Sequence, residues 1–242
     1  VLTAETVFKK LPVTFTCVEE LKDAKTAKEI VEIGNKAAKK DDWTILSVTT
    51  TKAKRSPKPP FTTSTLQQAA SSRLGMSPSR TMMLAQKLYE AGHITYMRTD
   101  SVNVAQVAVA QIAKFCEEEY GKEYVEKRTW TGKSKNAQEA HEAIRPTNFT
   151  KLSVGANDAE KKVYELIWQR TMAAFMTDAQ INRTKIIANI SAAKIADKTY
   201  KAIPDFAANG SQILFDGWLK ADPDARGEDV ILPDTKEGDD IK

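Results

Sequence analysis

The 242-residue chain has the composition of a globular protein, with 41% hydrophobic and 28% charged residues and only 10 Gly and 9 Pro. This composition excludes disordered, collagen-like and coiled-coil chains. No apolar run approaches the roughly 20 residues that a membrane-spanning helix requires, and residues 1–11 show no signal-peptide pattern. The chain does not begin with Met, which suggests a piece of a longer protein.

The cysteines and histidines are few and scattered. Cys17 and Cys116 lie far apart among apolar neighbours, which predicts two buried, reduced thiols rather than a disulfide. Together with His93 and His141 they are too few and too dispersed for a structural zinc site. We therefore expect an intracellular protein without structural zinc.

Charge is distributed unevenly, although the net charge is only +4. Residues 50–100 contain eight basic and two acidic residues, whereas residues 222–242 contain three basic and eight acidic residues. A polyanion would be attracted to the first stretch and repelled by the last. Two solvated faces of opposite sign are the alternative interpretation.

The first 55 residues show a mixed pattern. The apolar alternation of residues 13–17 predicts a strand, residues 24–38 have helical periodicity, and the β-branched residues of 43–50 favour a second strand. Residues 56–60 contain three prolines, which are incompatible with a helix or a central strand. The sequence predicts a domain boundary there.

The period becomes helical after this boundary. Ser64 is predicted to cap a helix that ends at Gly75, and Ser77 to cap a second helix that ends at Gly92. The β-branched pair at residues 94–95 follows. Two short helices and a strand in this order are typical of winged-helix modules.

The rest of the chain is predicted to be helical and then β-rich. Two longer helices are expected near residues 102–118, capped by Ser101, and near residues 158–174. Four strands are then expected at residues 186–190, 199–203, 212–215 and 230–232.

The predicted fold class is α+β, with a helical domain inserted into a discontinuous β-rich domain. The boundaries expected from the sequence are 1–55 for the first part of the β-rich domain, 56–178 for the helical domain and 179–242 for the second β-rich part.

Tyr96 and Arg98 form the combination with the clearest chemistry. In an extended segment, positions 96 and 98 point to the same side. A tyrosine phenol can attack a phosphodiester, but its ordinary pKa of about 10 requires a nearby cation to favour the phenolate. Arg98 could do that and also hold the phosphate oxygens. The alternatives are a half-buried strand aromatic for Tyr96 and a surface ion pair with Asp100 for Arg98.

Three longer segments resemble motifs of bacterial DNA topoisomerase I, the type IA family. They are residues 59–70 (PPFTTSTLQQAA), 92–101 (GHITYMRTDS) and 138–147 (QEAHEAIRPT), in the order that the family has. Residues 215–218 (FDGW) and the stretch 232–239 resemble the return of the chain into the family's β-rich arch.

The resemblance implies a role for each matching residue. Tyr96 would be the nucleophile that breaks one DNA strand and stays linked to its 5′ phosphate. Arg98 would stabilise the scissile phosphate, and His141 would contact or polarise the phosphate near the break. Arg145 would either support that segment or contact the DNA backbone.

The resemblance also implies the fold, partners and cofactor. The fold would be an arch with an inserted winged-helix-like domain that contains the tyrosine. The partners would be DNA, as a cleaved single-stranded segment and a passed strand or duplex, and the remaining domains of the parent chain, without a membrane. The location would be the bacterial cytoplasm, at the nucleoid.

Magnesium would be required by the full-length enzyme, bound in a Toprim domain that we expect to lie outside this chain, with none bound by the fragment itself. ATP would not be required, in agreement with the residues at 132–134 (GKS), which lack the earlier glycine of a phosphate-binding loop because position 127 is Lys127.

The chain alone would then relax supercoils poorly or not at all. Two interpretations without chemistry stay open beside this one: a DNA-binding module of winged-helix type, and a purely structural arch or interaction domain.

Overall fold

Contacts divide the chain into two units in a computed structural model that describes residues 1–131 and 142–241. The first unit contains Val1–Ala53, Gln180–Leu214 and Glu228–Lys242. The second unit contains Lys54–Ala179 and Phe215–Gly227. Strands dominate the first unit and helices the second, so the predicted α+β class is confirmed.

The strands are β1 (Thr3–Phe8), β2 (Leu11–Cys17), β3 (Trp43–Arg55), β4 (Ala179–Ile190), β5 (Phe206–Phe215) and β6 (Asp240–Ile241). The helices are α1 (Ala24–Ala38), α2 (Thr63–Leu74), α3 (Pro78–Glu90), α4 (Gln106–Tyr120), α5 (Asp158–Ala174) and α6 (Ala192–Ala196). Short 3₁₀ turns span Lys122–Tyr124, Gly217–Lys220 and Pro223–Ala225.

The six strands form one sheet in the order β1-β2-β5-β4-β3-β6. β1 and β2 are an antiparallel hairpin in which Phe8 pairs with Leu11. Its two turn residues, Lys9 and Lys10, have φ of 48° and 71°, the positive values that a two-residue turn of the I′ class needs. This turn matches the twist of the flanking strands and fixes the register of the sheet edge.

One face of the β2 strand forms part of the core of the first unit. Val13, Phe15 and Cys17 are buried, as the predicted alternation requires. Ile30 of α1 is buried in the same cluster. Removing this apolar surface from water is the main stabilising contribution, at roughly 25 cal/mol per Å².

Helix α2 begins two residues earlier than the sequence predicted, so the cap prediction for Ser64 is wrong. Thr62 is the N-cap: its Oγ1 accepts from the Thr65 N–H at 3.3 Å, and the Oγ1 of Thr65 accepts from the Thr62 N–H at 2.9 Å. This reciprocal capping box satisfies two of the free N–H groups at the helix start. The predicted end at Gly75 is confirmed, with φ of 63°.

Helix α4 begins later than predicted, at Gln106, and Ser101 does not cap it. The preceding segment is held by other contacts. The Ala105 N–H donates to Glu142 Oε1 at 2.6 Å, and the Ala143 N–H donates to the Asn103 carbonyl at 2.8 Å. These bonds use the backbone groups that an earlier helical turn would need.

Three strand predictions are wrong. Residues 199–203 follow α6, which the sequence did not predict, and Lys198 has φ of 62° in the turn between them. Residues 94–95 and 230–232 each form only an isolated bridge, between Ile94 and Pro146 and between Ser211 and Val230. The second bridge pairs a residue of β5 with a segment too short to form a strand.

Both cysteines are buried and free, as predicted. Within the described ranges, no helix is long and apolar enough to cross a membrane.

Candidate active site

The three segments with family resemblance meet within the second unit, the third of them from Glu142 onward. The Ile144 N–H donates to the Phe61 carbonyl at 2.8 Å, and these two residues form a bridge. Ile94 forms a bridge with Pro146. Phe61, Ile94 and Ile144 are all buried. The backbone just before Tyr96 is therefore anchored to buried apolar residues.

Thr63, at the first position of α2, fixes the backbone that follows Tyr96. Its Oγ1 donates to the Met97 carbonyl at 2.7 Å and accepts from the Thr99 N–H at 2.9 Å. Its own N–H donates to the Thr99 carbonyl at 2.9 Å. One side chain thus ties the segment on both sides of Arg98 to a helix start.

Thr95 performs the same function before Tyr96. Its Oγ1 donates to the Ala143 carbonyl at 2.6 Å and accepts from the Arg145 N–H at 2.9 Å. The Thr95 N–H donates to the Arg145 carbonyl at 2.9 Å. The residue before the tyrosine is therefore anchored to the third segment.

Burial alternates along residues 96–101. Tyr96, Arg98 and Asp100 are exposed, whereas the three residues between and after them are buried. The segment is not a strand of a sheet. Its side chains nevertheless alternate between exposed and buried, so positions 96 and 98 share one side, as the sequence predicted. The phenol and the guanidinium are both available to a ligand.

Tyr96 is 41% exposed, and its ring contacts Tyr89 edge-on with centroids 5.2 Å apart. Its phenolic oxygen forms no hydrogen bond to any described residue. Arg98 likewise has no ion pair or hydrogen bond within the described ranges, so the alternative pairing with Asp100 is absent there. The site presents a positioned phenol and a cation whose donors meet no acceptor among the described residues.

Arg145 is largely occupied by protein acceptors. Its Nε and Nη2 donate to Glu142 Oε2 at 3.1 and 2.6 Å, and its Nη1 donates to the Pro146 carbonyl at 3.0 Å. Glu142 in turn accepts from the Ala105 N–H. These contacts favour the supporting role for Arg145, and a DNA contact stays a prediction. His141 lies outside the described residues, so its position is not given.

Arg170 is a cation near this site that the sequence reasoning missed. Its guanidinium carbon lies 4.2 Å from the centroid of the Phe61 ring. Burial, opposed by the charge of Asp222, lowers the pKa of Arg170 to about 10. Sequence alone gave no signal for it, because it is one arginine on a helix with many polar positions.

The described residues do not supply a metal site. None of their His, Cys, Asp and Glu side chains form a group of three or more that could hold an ion. The family resemblance implies magnesium in a Toprim domain that is expected to lie outside this chain, and no step proposed below involves a metal.

A family model described as DNA topoisomerase matches residues 6–242. The chain belongs to the bacterial DNA topoisomerase I (type IA) family. It is 44% identical over 210 residues to DNA topoisomerase 1 of Synechocystis sp., a match that covers 81% of this chain and 22% of that protein. It is 41% identical over 231 residues to DNA topoisomerase 1 of Campylobacter jejuni, covering 90% of this chain and 31% of that protein.

A solved structure is also similar. Full-length topoisomerase I from Thermotoga maritima aligns with a TM-score of 0.73 and 32% identity, covering 100% of this chain and 39% of that chain. This type IA chain thus spans about a fifth to a third of the length of the curated relatives named above.

Proposed function

We propose that this chain is the part of a type IA DNA topoisomerase that contains the nucleophile, Tyr96. The observation that supports it is the exposed phenol of Tyr96 two residues from the guanidinium of Arg98, which has no partner among the described residues, on a backbone fixed by Thr63 and Thr95. The first unit would be the arch and the second unit the winged-helix-like, tyrosine-bearing domain. The segment Phe215–Gly227 is part of the second unit and would belong to the tyrosine-bearing domain.

In the proposed reaction, the Tyr96 oxygen attacks the phosphorus of a DNA phosphodiester. The new tyrosine–phosphorus bond forms as the bond to the 3′ oxygen breaks. The phenol loses its proton and the departing 3′ oxygen gains one. Arg98 would hold the non-bridging oxygens, whose charge increases in the transition state.

The reverse attack by the 3′ hydroxyl would restore the strand. One phosphate ester is exchanged for another of similar energy, so the cycle would need no ATP. Passage of DNA through the transient break would relax negative supercoils. His141, whose segment precedes Glu142, is proposed to contact the same phosphate.

A covalent trapping assay tests this proposal. The chain replaces the matching region of the Synechocystis enzyme, and the folded, DNA-binding chimera is incubated with a 3′-labelled single-stranded oligonucleotide and magnesium. A denaturing gel should show a labelled protein band that Tyr96→Phe abolishes. Tyr89→Phe is the matched control, because Tyr89 is a 40% exposed tyrosine in contact with Tyr96 and should keep the band.

Two outcomes would contradict the proposal. A band that persists in Tyr96→Phe would assign the nucleophile to another residue. No band from a chimera that folds and binds the oligonucleotide would favour the non-catalytic DNA-binding module.

A further inference from the structure

A basic pocket lies within the second unit, and neither the motifs nor the proposed cleavage step accounts for it. Its volume is about 170 Å³. Its charged lining residues are Arg55, Lys58, Arg73, Arg170 and Asp222.

The pocket retains positive charge after its internal pairing. Arg73 donates to both carboxylate oxygens of Asp222, at 2.7 and 3.1 Å. Asp222 is the one carboxylate among the described lining residues, and it is only 1% exposed. Arg55 donates to the neutral carbonyls of Arg226 and Ala225, at 3.1 and 2.6 Å. Asp222 therefore neutralises one of the four cations, the carbonyls neutralise none, and three positive charges remain.

Two of these cations have donors that no described residue uses. Neither Arg170 nor Lys58 makes a hydrogen bond or ion pair with any described residue. Arg170 is mostly buried, and a buried guanidinium without an acceptor is costly. An anion would supply the missing acceptors.

The backbone positions both groups in advance. Lys58 stands between Pro57 and Pro59, where proline restricts the backbone. Arg170 is on α5 and stacks on Phe61, which belongs to the first motif segment. Little backbone ordering would remain to be done when a ligand binds.

We propose that this pocket binds one phosphate group between Lys58, Arg55 and Arg170. The pocket is smaller than the roughly 300–1,000 Å³ of small-molecule sites, so it suits a single phosphate rather than a whole nucleotide. Planar guanidinium groups match phosphate oxygens in pairs. The assignment of this phosphate to a DNA strand rests on the proposed function. Phosphate binding by the pocket is argued from the pocket alone.

The test is an NMR titration of the 242-residue chain, followed at the arginine Nε–Hε signals. The Tyr96→Phe variant is used, so binding is measured independently of any cleavage. One arm adds sodium phosphate, and the other adds an eight-nucleotide oligothymidylate with hydroxyl groups at both ends. Saturable shifts at Arg55 and Arg170 are expected with the oligonucleotide, which contains only phosphodiesters.

Lys58→Ala is the decisive variant, since Lys58 is exposed and its loss removes no hydrogen bond or ion pair within the described residues. It should weaken binding at least fivefold and lower the slope of log K against log salt by about 0.7, the value for one single-strand phosphate contact. Lys151→Ala is the matched control, an exposed lysine of the same unit outside the pocket, and should change affinity less than twofold. Arg170→Gln should abolish the shift at Arg55. If the Arg170→Gln variant does not fold, the result for Lys58→Ala decides the question.

Each outcome has one meaning. Shifts with the oligonucleotide support a strand phosphate, and shifts with inorganic phosphate alone support a free-phosphate site. No shift in either arm, or equal weakening by Lys58→Ala and Lys151→Ala, would overturn the proposal.

Discussion

Two threonines, Thr63 and Thr95, position the backbone on either side of Tyr96. Thr63 and Thr95 make hydrogen bonds on either side of the tyrosine, each contributing about 1 kcal/mol net. The phenol itself has no acceptor within the described ranges. The arrangement therefore favours placement of the proposed nucleophile, with the positive charge of Arg98 two residues away as the nearest cation in sequence.

At this scale we predict the effect of removing Arg98. Arg98→Ala should lower the trapped adduct of the chimera by about 10²–10³-fold, the loss typical of removing one donor to a developing anion. Arg98→Lys should recover part of the loss, because it restores the charge without the paired donors. The measurement is the initial rate of adduct formation at saturating oligonucleotide.

Arg80→Ala is the control for that measurement. Arg80 is an exposed arginine of the same unit whose side chain has no partner among the described residues. Equal rates for Arg98→Ala and Arg80→Ala would remove Arg98 from the reaction.

The 3₁₀ turn Gly217–Lys220, in the segment that returns to the second unit, depends on a close approach between two backbone segments. Gly217 has φ of 51°, and the Trp218 N–H donates to the Thr177 carbonyl at 2.9 Å. A Cβ atom on Gly217 would lie against the Thr177 oxygen and 2.7 Å from the carbonyl carbon of Asp178. Both neighbours are backbone, so the chain would have to move.

We therefore expect Gly217→Ala to lower the free energy of unfolding of the second unit by about 3 kcal/mol, the sum of a positive-φ cost and a steric cost. Gly227→Ala is the matched control: its φ is 71°, but a Cβ there meets nothing within 4 Å. It should cost only about 1 kcal/mol. Urea unfolding followed by tryptophan fluorescence measures both, since Trp130, Trp168 and Trp218 lie in this unit. Equal losses would show that the close approach is unimportant.

At the scale of the whole chain, periodic elements could be predicted and tertiary contacts could not. The helix bounds Ala24–Ala38 and Asp158–Ala174 match the predicted ranges, because long amphipathic or buried helices have a strong pattern. The late start of α4 depends on Glu142, 37 positions from Ala105 along the chain. No local pattern contains such a contact.

In the candidate site too, residues in a local motif could be predicted and residues brought together by tertiary contacts could not. Tyr96 and Arg98 were found from their spacing and their motif, which are local. Arg170 and Asp222 were missed, because they are brought to the basic pocket only when α5 and the segment Phe215–Gly227 fold into one unit. A charge count along the sequence assigned Asp222 to an acidic stretch, although its carboxylate is buried against Arg73.

Relaxation of supercoils is the prediction for the whole molecule. The chain spans 22% of the Synechocystis protein, and within the described residues Tyr96 has no hydrogen-bond partner to take its proton. We expect the chain alone to leave a negatively supercoiled plasmid unchanged at equimolar concentration, and the chimera to relax it without ATP. Agarose gels over a time course measure both. The Tyr96→Phe chimera should be inactive and the Tyr89→Phe chimera active. Relaxation by the chain alone would show that its own residues suffice for cleavage, religation and strand passage.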